Sequence, residues 1–244
     1  MRILTLLSLS CFLLMGSISA EEKSHWGYTG AGEPNVWGTL SPKFERCSKG
    51  QNQSPINLAH FIDADLQPIT FEYATQTTEF LNNGHTVQAN YAAGSTITFE
   101  GKSFELKQFH FHASSEHQIK GQSFPLEAHL VHADSEGNLA VVGIVFKMGE
   151  ENKTLDQLSQ KMPHKAGDTH ALTSINAESL LPDNKSYYRY NGSLTTPPCT
   201  EGVRWIVMQN AITASKNQID TFAKVMHHQN NRPIQPVNAR PVLH

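Results

Sequence analysis

Two stretches of this chain indicate its fold, QFHFH at residues 108–112 and EAHLVH at residues 127–132. Long apolar side chains alternate with polar ones in both stretches, and neither contains proline or glycine, which predicts two β-strands. Side chains two positions apart on a strand share a face, so His110 and His112 point the same way while Phe109 and Phe111 face the other way. Two imidazoles on one face of a strand are two ligands of a metal site.

A catalytic zinc site usually has three protein ligands and leaves the fourth position to water. His129 is the natural third ligand, because its stretch reads as the neighbouring antiparallel strand. Gln108 and Glu127 each precede one of these histidines by two residues, so each can hold a ligand in place through a hydrogen bond. We therefore predict a zinc site formed by His110, His112 and His129.

The two other histidines of this region are interpreted differently. A single histidine on a strand is more often a hydrogen-bonded residue of the core or its rim than a metal ligand. His132 lies on the face opposite His129 by the same alternation, and His117 lies in the connection between the two stretches. We expect His117 and His132 to be hydrogen-bonded structural residues.

The composition excludes several classes of partner. The chain has 244 residues with 19 basic and 22 acidic side chains, a formal net charge of −3. Nucleic acids and anionic membranes attract strongly basic surfaces, so neither is an expected partner. The sequence shows no low-complexity linker and no internal repeat, and β-rich domains often exceed 200 residues. We therefore expect a single domain.

Residues 1–20 read as a secretory signal peptide. Arg2 precedes an almost wholly apolar run at residues 3–15, and GSISA at residues 16–20 offers small side chains for cleavage. The apolar run is too short to span a membrane well. The mature protein is expected to be residues 21–244, exported and without a membrane anchor.

Signal removal would also remove Cys11 and leave Cys47 and Cys199 as the two remaining cysteines. An exported chain meets oxidising conditions, so we expect a disulfide between them, with two buried free thiols as the alternative. Closing so long a loop could contribute on the order of 5 kcal/mol. The bridge would also fix the run TTPP at residues 195–198, which ends at Cys199.

Strand signals outnumber helix signals along the chain. Strands are predicted at residues 70–73, 78–81, 96–100, 103–112, 126–132, 139–147 and 203–209. Helices are predicted at residues 152–161 and after the capping-box sequence SKNQ at residues 215–218, with at most a short one at 176–181. The order indicates a mainly β, α+β fold, with an aromatic segment around Trp26 and Trp37 packed over it.

With these residues identified, the chain resembles an α-class carbonic anhydrase of the exported bacterial type. Matching blocks occur in order: HWGY at 25–28, QSPINL at 53–58, NNGH at 82–85, the two histidine stretches, and YRYNGSLTTPPC at 188–199. The resemblance covers essentially all of residues 21–244. It implies one catalytic domain on a large, twisted, mostly antiparallel sheet with a few short peripheral helices and Zn²⁺ at the floor of a conical cleft.

The resemblance also implies the reaction, the reversible hydration of carbon dioxide to bicarbonate and a proton by attack of a zinc-bound hydroxide. Thr195 would donate a hydrogen bond to Glu116 and accept one from the hydroxide, and His85 would be the proton shuttle. Gln108 and Glu127 match the residues that hold the ligands. The carbon dioxide pocket would be lined by Val131, Val141, Leu194, Thr196, Val203 and Trp205.

Further properties follow from the same resemblance. Anions and sulfonamides are expected inhibitors, a homodimer is a further expectation, and the periplasm is the expected location, with open secretion as the alternative. The Ser54-Pro55 and Pro197-Pro198 bonds would be cis. One departure is Ala113, which stands where many relatives have a tryptophan directly after the second ligand, so ligand packing and zinc affinity are expected to differ.

Three other classes compete with this interpretation. A cupin would use His110, His112 and Glu116 as ligands, but the glycines that cupins place around this motif are missing. A catalytically silent relative acting as a binding module would generally have lost a zinc-binding histidine, and all three are present. A zinc peptidase would carry a helical His-Glu-x-x-His, which this chain lacks.

Overall fold

The computed structural model describes residues 25–227 and 229–244, so the signal peptide predicted at residues 1–20, with Cys11, lies outside the described residues. The strands are β1 (Asn57–Leu58), β2 (Thr70–Glu72), β3 (Thr77–Asn82), β4 (Val87–Tyr91), β5 (Thr96–Phe99), β6 (Lys102–His112), β7 (Gln118–Ile119), β8 (Leu126–Ala133), β9 (Leu139–Met148), β10 (Thr169–Ala171), β11 (Tyr187–Ser193), β12 (Glu201–Met208) and β13 (Ile212–Ala214). The α-helices are α1 (Trp37–Leu40), α2 (Arg46–Lys49), α3 (Lys153–Ser159) and α4 (Lys216–Val225).

One sheet of 11 strands dominates the described chain, with its main path in the order β10-β3-β4-β6-β8-β9-β12-β11. Strand β5 pairs with β2 and β6, and β13 pairs with β9. The neighbours are antiparallel except for the pairs β9–β12 and β9–β13, which are parallel. The mainly β class with a mostly antiparallel sheet is therefore confirmed.

Strands β6 and β8 lie at the centre of this sheet and pair antiparallel, as predicted. Phe109 and Phe111 are completely buried in the large hydrophobic cluster on one face, where Phe111 packs against Phe222 of α4 at 4.7 Å between ring centroids. The histidines occupy the other face. The burial of the phenylalanines therefore decides which way His110 and His112 point.

Most predicted elements are present with small shifts in their ends. Helix α3 begins after Asn152, whose side chain accepts from the backbone N–H groups of Thr154 and Leu155, and α4 has the predicted capping box between Ser215 and Gln218. The segment predicted at 176–181 is a 3₁₀ turn, Ala177–Leu180. Six strands were not predicted: β1, β4, β7, β10, β11 and β13. Four of these have only two or three residues, and β4 and β11 contain polar side chains.

The N-terminal aromatic segment packs as expected. Trp37 is fully buried, its ring lies 5.4 Å from that of Trp26 and 5.7 Å from that of Tyr28, and its indole N–H donates to two backbone carbonyls. The disulfide between Cys47 and Cys199 is present beside this cluster, across a separation of 152 residues. The segment is thereby joined to the loop that carries residues 195–198.

The remaining backbone expectations are also met. The Ser54-Pro55 and Pro197-Pro198 bonds are cis, and so is the Ala113-Ser114 bond, which was not expected. Among the described residues, no helix has the length and apolar character needed to cross a membrane.

Replacing both cysteines, Cys47→Ser with Cys199→Ser, is expected to lower the free energy of unfolding by about 2–5 kcal/mol, because the unfolded chain loses a cross-link over a long loop. Urea denaturation of the oxidised protein measures this. Ser215→Ala is the comparison variant, because loss of a helix N-cap lowers the free energy of unfolding by about 1 kcal/mol. An unchanged urea midpoint with an unchanged slope in the double variant would contradict the expectation.

Candidate active site

The three predicted ligands come together on the sheet. His110 on β6 is directly opposite His129 on β8, and His112 follows two residues along β6. The ring centroids are 5.1 Å apart for His110 and His112, 5.3 Å for His110 and His129, and 4.6 Å for His112 and His129. One nitrogen of each ring lies within 4.8 Å of the others, which is an arrangement that can hold a metal ion.

Each ring is held by a hydrogen bond on its other nitrogen. His110 Nδ1 is 2.9 Å from Gln108 Oε1, and His129 Nε2 is 2.9 Å from Glu127 Oε1. His112 Nδ1 is 2.7 Å from the backbone oxygen of Asn230. These oxygens can only accept, so each of these ring nitrogens carries the proton and the opposite nitrogen keeps its lone pair.

The residues present fit a zinc ion. His112 Nε2 is buried and has no hydrogen-bond partner, which is costly for a polar atom unless something binds it. Burial lowers the pKa of His112 to about 4, and it also lowers the pKa values of His110 and His129. The three imidazoles are therefore neutral at physiological pH, the form that binds metals.

Asn230 is a part of this site that the sequence did not indicate. Its backbone oxygen accepts from His112, its side-chain oxygen accepts from the Ala113 N–H at 2.9 Å, and its side-chain nitrogen donates to the backbone oxygens of Phe111 and His85 at 2.9 and 3.1 Å. It thus ties the end of the ligand strand to the turn with His85. Because 118 positions separate it from His112, no spacing pattern could have revealed it.

Glu127 connects the third ligand to a buried hydrogen-bond chain. Its Oε1 is 2.7 Å from His117 Nδ1, and His117 Nε2 is 2.6 Å from the Tyr190 hydroxyl. Burial acts to raise the pKa of Glu127, but the neighbouring His117 and His129 hold that pKa well below its usual range. His117, Glu127 and His129 also form a group of potential ligands, but the hydrogen bonds among them already account for their proximity.

The two histidines predicted to be structural are hydrogen-bonded and buried. His117 belongs to the chain just described, with both ring nitrogens in hydrogen bonds. His132 is fully buried on the opposite face, where its Nε2 lies 2.8 Å from the hydroxyl of Tyr73. Both predictions are therefore confirmed.

Glu116 lies beside the ligands without joining their cluster. Its Oε1 accepts from the backbone N–H of Arg232 at 2.8 Å, and its Oε2 is 3.6 Å from His112 Nε2 and 3.8 Å from His129 Nδ1. Burial raises the pKa of Glu116 to about 7, against the lowering effects of His129, Arg232 and Thr195. The Thr195 hydroxyl is thus near this carboxylate, but Oε2 itself has no hydrogen bond, so donation from Thr195 stays a prediction.

The predicted carbon dioxide pocket is an apolar cluster beside the histidines. Strand pairing places Val141 next to Val131 on one side and Trp205 on the other, and the Trp205 ring lies 4.8 Å from the ring of His129. Val203 and Leu194 pack in the same cluster, and Thr196 is half-buried. The structure therefore brings the five apolar residues of the predicted lining together.

His85 lies away from the ligand rings, against the N-terminal aromatic segment. Its ring stacks on Trp26 with centroids 3.8 Å apart and an angle of 8° between the planes, and the ring of His25 is 6.1 Å away. A cavity of about 480 Å³ opens here, lined in part by His85, His25 and Tyr28. A half-buried His85 beside open space fits a residue that exchanges protons with solvent.

Ala113, the residue that departs from the resemblance, is buried in the large hydrophobic cluster. Its backbone N–H is held by Asn230, so the chain directly after His112 is fixed by a hydrogen bond. No aromatic side chain from position 113 packs behind the ligands. The expected effect on zinc affinity stays a prediction.

Comparisons with known proteins agree with this geometry. A sequence model of the eukaryotic-type carbonic anhydrase family matches residues 32–244. A carbonic anhydrase of Pectobacterium atrosepticum is 45% identical over 236 residues, which cover 96% of this chain and 95% of that protein. The α-carbonic anhydrase of Thermovibrio ammonificans, solved with the inhibitor sulfanilamide, has a TM-score of 0.89 at 47% identity and covers 91% of this chain and 99% of its own.

A third relative has a different name. Dioscorin dioA3 of Dioscorea japonica is 33% identical over 227 residues, which cover 86% of this chain and 82% of that protein. The family match spans most of the chain, and the bacterial relatives match nearly end to end. The chain therefore belongs to the eukaryotic-type, or α-class, carbonic anhydrase family of enzymes.

Proposed function

We propose that this chain catalyses the reversible hydration of carbon dioxide to bicarbonate and a proton, with Zn²⁺ held by His110, His112 and His129. The observation that supports this best is the set of three neutral imidazoles, two buried and one half-buried, each held by a hydrogen bond and each offering one nitrogen to the same group of potential ligand atoms. Bound Zn²⁺ would acidify a water so that hydroxide is available at neutral pH, an effect for which carbonic anhydrase is the standard example.

Glu116 and Thr195 would direct the attacking oxygen. A hydroxyl can accept a hydrogen bond in a fixed direction only when its own proton is committed elsewhere. Glu116 Oε2 is buried, near the ligands and without a partner, so it is available to accept the proton of Thr195. Thr195 would then accept from the attacking oxygen and turn a lone pair toward carbon dioxide.

The apolar cluster would hold the substrate. Carbon dioxide is small and has no net charge or dipole, so it needs a dry surface more than hydrogen bonds. Val141, Val203 and Trp205 are each about 2% exposed, and Val131 and Leu194 pack on them. Their side chains would exclude water beside the ligands, with Thr196 at the edge of the pocket.

His85 would carry the product proton away. Imidazole titrates near neutral pH, so it can take a proton from water and pass it to buffer. The backbone of His85 is held by Asn83 and Asn230, while its ring faces the cavity shared with His25. Because its backbone is fixed and its ring lies beside a cavity, His85 is suited to act as a proton shuttle.

We further propose that residues 1–20 are a signal peptide and that residues 21–244 form one catalytic domain exported to the periplasm, with open secretion as the alternative. The buried disulfide supports export, since such bonds persist in oxidising compartments. Sulfonamides are proposed inhibitors, because the relative from Thermovibrio ammonificans was solved with the inhibitor sulfanilamide. Anions are proposed inhibitors from the family resemblance. The cupin and binding-module alternatives are not favoured by the family match.

His112→Ala is expected to remove the zinc site, because it deletes one of three ligands. Metal analysis should find one zinc per chain in the parent protein and almost none in the variant, with hydration at the uncatalysed rate. Gln108→Ala should be intermediate, since loss of a residue that orients a ligand costs about 10–100-fold in metal affinity. His170→Ala, on an exposed edge strand, is the control. Zinc without turnover in the parent protein would contradict the proposed function.

Thr195→Ala is expected to lower kcat/KM by about a hundredfold, as is typical when a hydrogen-bond partner of the reacting oxygen is lost. Zinc content should be unchanged. Glu116→Gln should also lower kcat/KM, because an amide can donate a hydrogen bond to the Thr195 hydroxyl. The proton of Thr195 would then point to the attacking oxygen, which Thr195 could no longer accept from. Thr200→Ala, an exposed hydroxyl of the same loop, is the matched control. Equal hydration rates in the Thr195 and Thr200 variants would exclude the role.

His85→Ala is expected to lower kcat by about a hundredfold in weak buffer, the contribution typical of a positioned proton acceptor, and to leave kcat/KM unchanged. Added imidazole should restore the rate. Stopped-flow hydration at low and high buffer concentration measures both effects. His25→Ala removes the neighbouring ring, whose centroid is 6.1 Å from that of His85. It tests whether His25 can also act as the proton shuttle. A parent-like rate in weak buffer would remove His85 from the mechanism.

A further inference from the structure

Four polar side chains form a continuous hydrogen-bond chain on the same face of the sheet as the ligands, and we call it the amide ladder. Asn90 Nδ2 donates to Glu79 Oε1 at 2.6 Å, and Gln88 Nε2 donates to Asn90 Oδ1 at 2.7 Å. Asn83 Nδ2 lies 3.5 Å from Gln88 Oε1 at the far end. All of these donors point in one direction, toward the carboxylate.

The carboxylate determines this direction. An ionised carboxylate can only accept hydrogen bonds, whereas an amide can turn either its oxygen or its nitrogen to a neighbour. Glu79 therefore obliges Asn90 to present its nitrogen, which leaves the Asn90 oxygen for Gln88. Gln88 must then donate to Asn90, and its own oxygen faces the other way.

The Gln88 side chain has one ligand and the turn of the proposed shuttle as neighbours. Gln88 pairs with His110 across strands β4 and β6, so the two residues are neighbours on one face. At its other end the ladder reaches Asn83, whose side-chain oxygen accepts from the backbone N–H groups of His85 and Thr86, both at 2.9 Å. The Gln88 side chain therefore connects the position beside His110 with the turn that carries His85.

An acceptor here has a specific effect on a proton route. A water that donates one hydrogen to an amide oxygen keeps its lone pairs free to receive a proton and its second hydrogen free to pass one on. An N–H donor in the same place would occupy a lone pair of that water. The rate of proton transfer would therefore depend on whether the ladder presents an amide oxygen or an amide N–H group to such a water.

We propose that Glu79 is a positioning residue for proton export, which holds the Gln88 amide oxygen toward the turn with His85. The inference rests on the proposed shuttle role of His85. Glu79 touches neither substrate nor ligand and acts through Asn90 and Gln88 alone. Its contribution is to the proton-transfer step, not to the hydration of carbon dioxide.

Glu79→Lys reverses the ladder, because an ammonium group can only donate. Asn90 then turns its oxygen to Lys and its nitrogen to Gln88, and Gln88 presents its nitrogen to the turn. The expected result is a fall in kcat in weak buffer of about two- to tenfold, the effect of one hydrogen bond, with kcat/KM unchanged and recovery in added imidazole. Glu79→Gln, which fixes neither direction, should give a smaller fall.

A second measurement is independent of turnover. Nuclear Overhauser contacts of the Gln88 side-chain amide protons should connect them to Asn90 in the parent protein and to the Asn83 side chain in Glu79→Lys. The same spectra show whether the variant is folded. Unmoved contacts in Glu79→Lys would overturn the proposal.

Two variants control for charge and for the route of the effect. Glu72→Lys makes the same change of charge at an exposed carboxylate that contacts Thr96 instead of the ladder, and it should leave kcat at the parent value. Gln88→Leu removes the acceptor, so Glu79→Lys added to Gln88→Leu should cause no further loss. Additive losses would mean that Glu79 acts by another route, and the proposal would be wrong.

The proposed shuttle role of His85 and the proposed role of the amide ladder can be tested separately. If His85→Ala lowers kcat in weak buffer while Glu79→Lys does not, the ladder proposal is overturned and the proposed function stands. If neither variant lowers kcat, both fail. A parallel fall of kcat and kcat/KM in Glu79→Lys would show a disturbed site instead of slowed proton transfer and would also overturn the ladder proposal.

Discussion

The antiparallel pairing of β6 with β8 determines where the ligands of the site lie. It places His110 directly opposite His129, and the strand repeat then brings His112 to the same face. A slip of one residue would turn the phenylalanines of β6 outward and the histidines into the hydrophobic core. The cost of exposing Phe109 and Phe111, both fully buried, therefore fixes the position of the ligands.

Burial gives these ligands their chemical form. A dry environment lowers the pKa values of the three histidines, so they are neutral, and it makes every unpaired polar atom costly. A hydrogen-bond acceptor on the outer nitrogen of each ring offsets this cost. His112 Nε2 is buried and has no hydrogen-bond partner, so it is available to bind a metal ion. Stability and metal binding therefore follow from one physical cause.

The sequence was sufficient for what depends on local pattern, and insufficient for contacts between distant parts of the chain. Alternation identified both ligand strands, and the oxidising environment expected of an exported chain identified the disulfide. Neither Asn230, which binds the backbone on both sides of the site, nor the ladder ending at Glu79 has a local signal. Asparagine and glutamate are common on surfaces, so only the folded positions show what they contact. Strand β4 was also missed, although its side chains alternate between buried and half-buried positions.

A dioscorin is among the relatives of this chain, so particular atoms, and not the shared fold alone, support the hydration of carbon dioxide. A binding module needs a pocket, but it has no need of three neutral imidazoles aimed at one point, nor of a buried Glu116 oxygen kept free beside them. Keeping such groups buried costs stability, and the cost is understandable if they take part in a reaction. The apolar surface of Trp205 and Val141 next to His129 completes a site suited to a small, uncharged substrate.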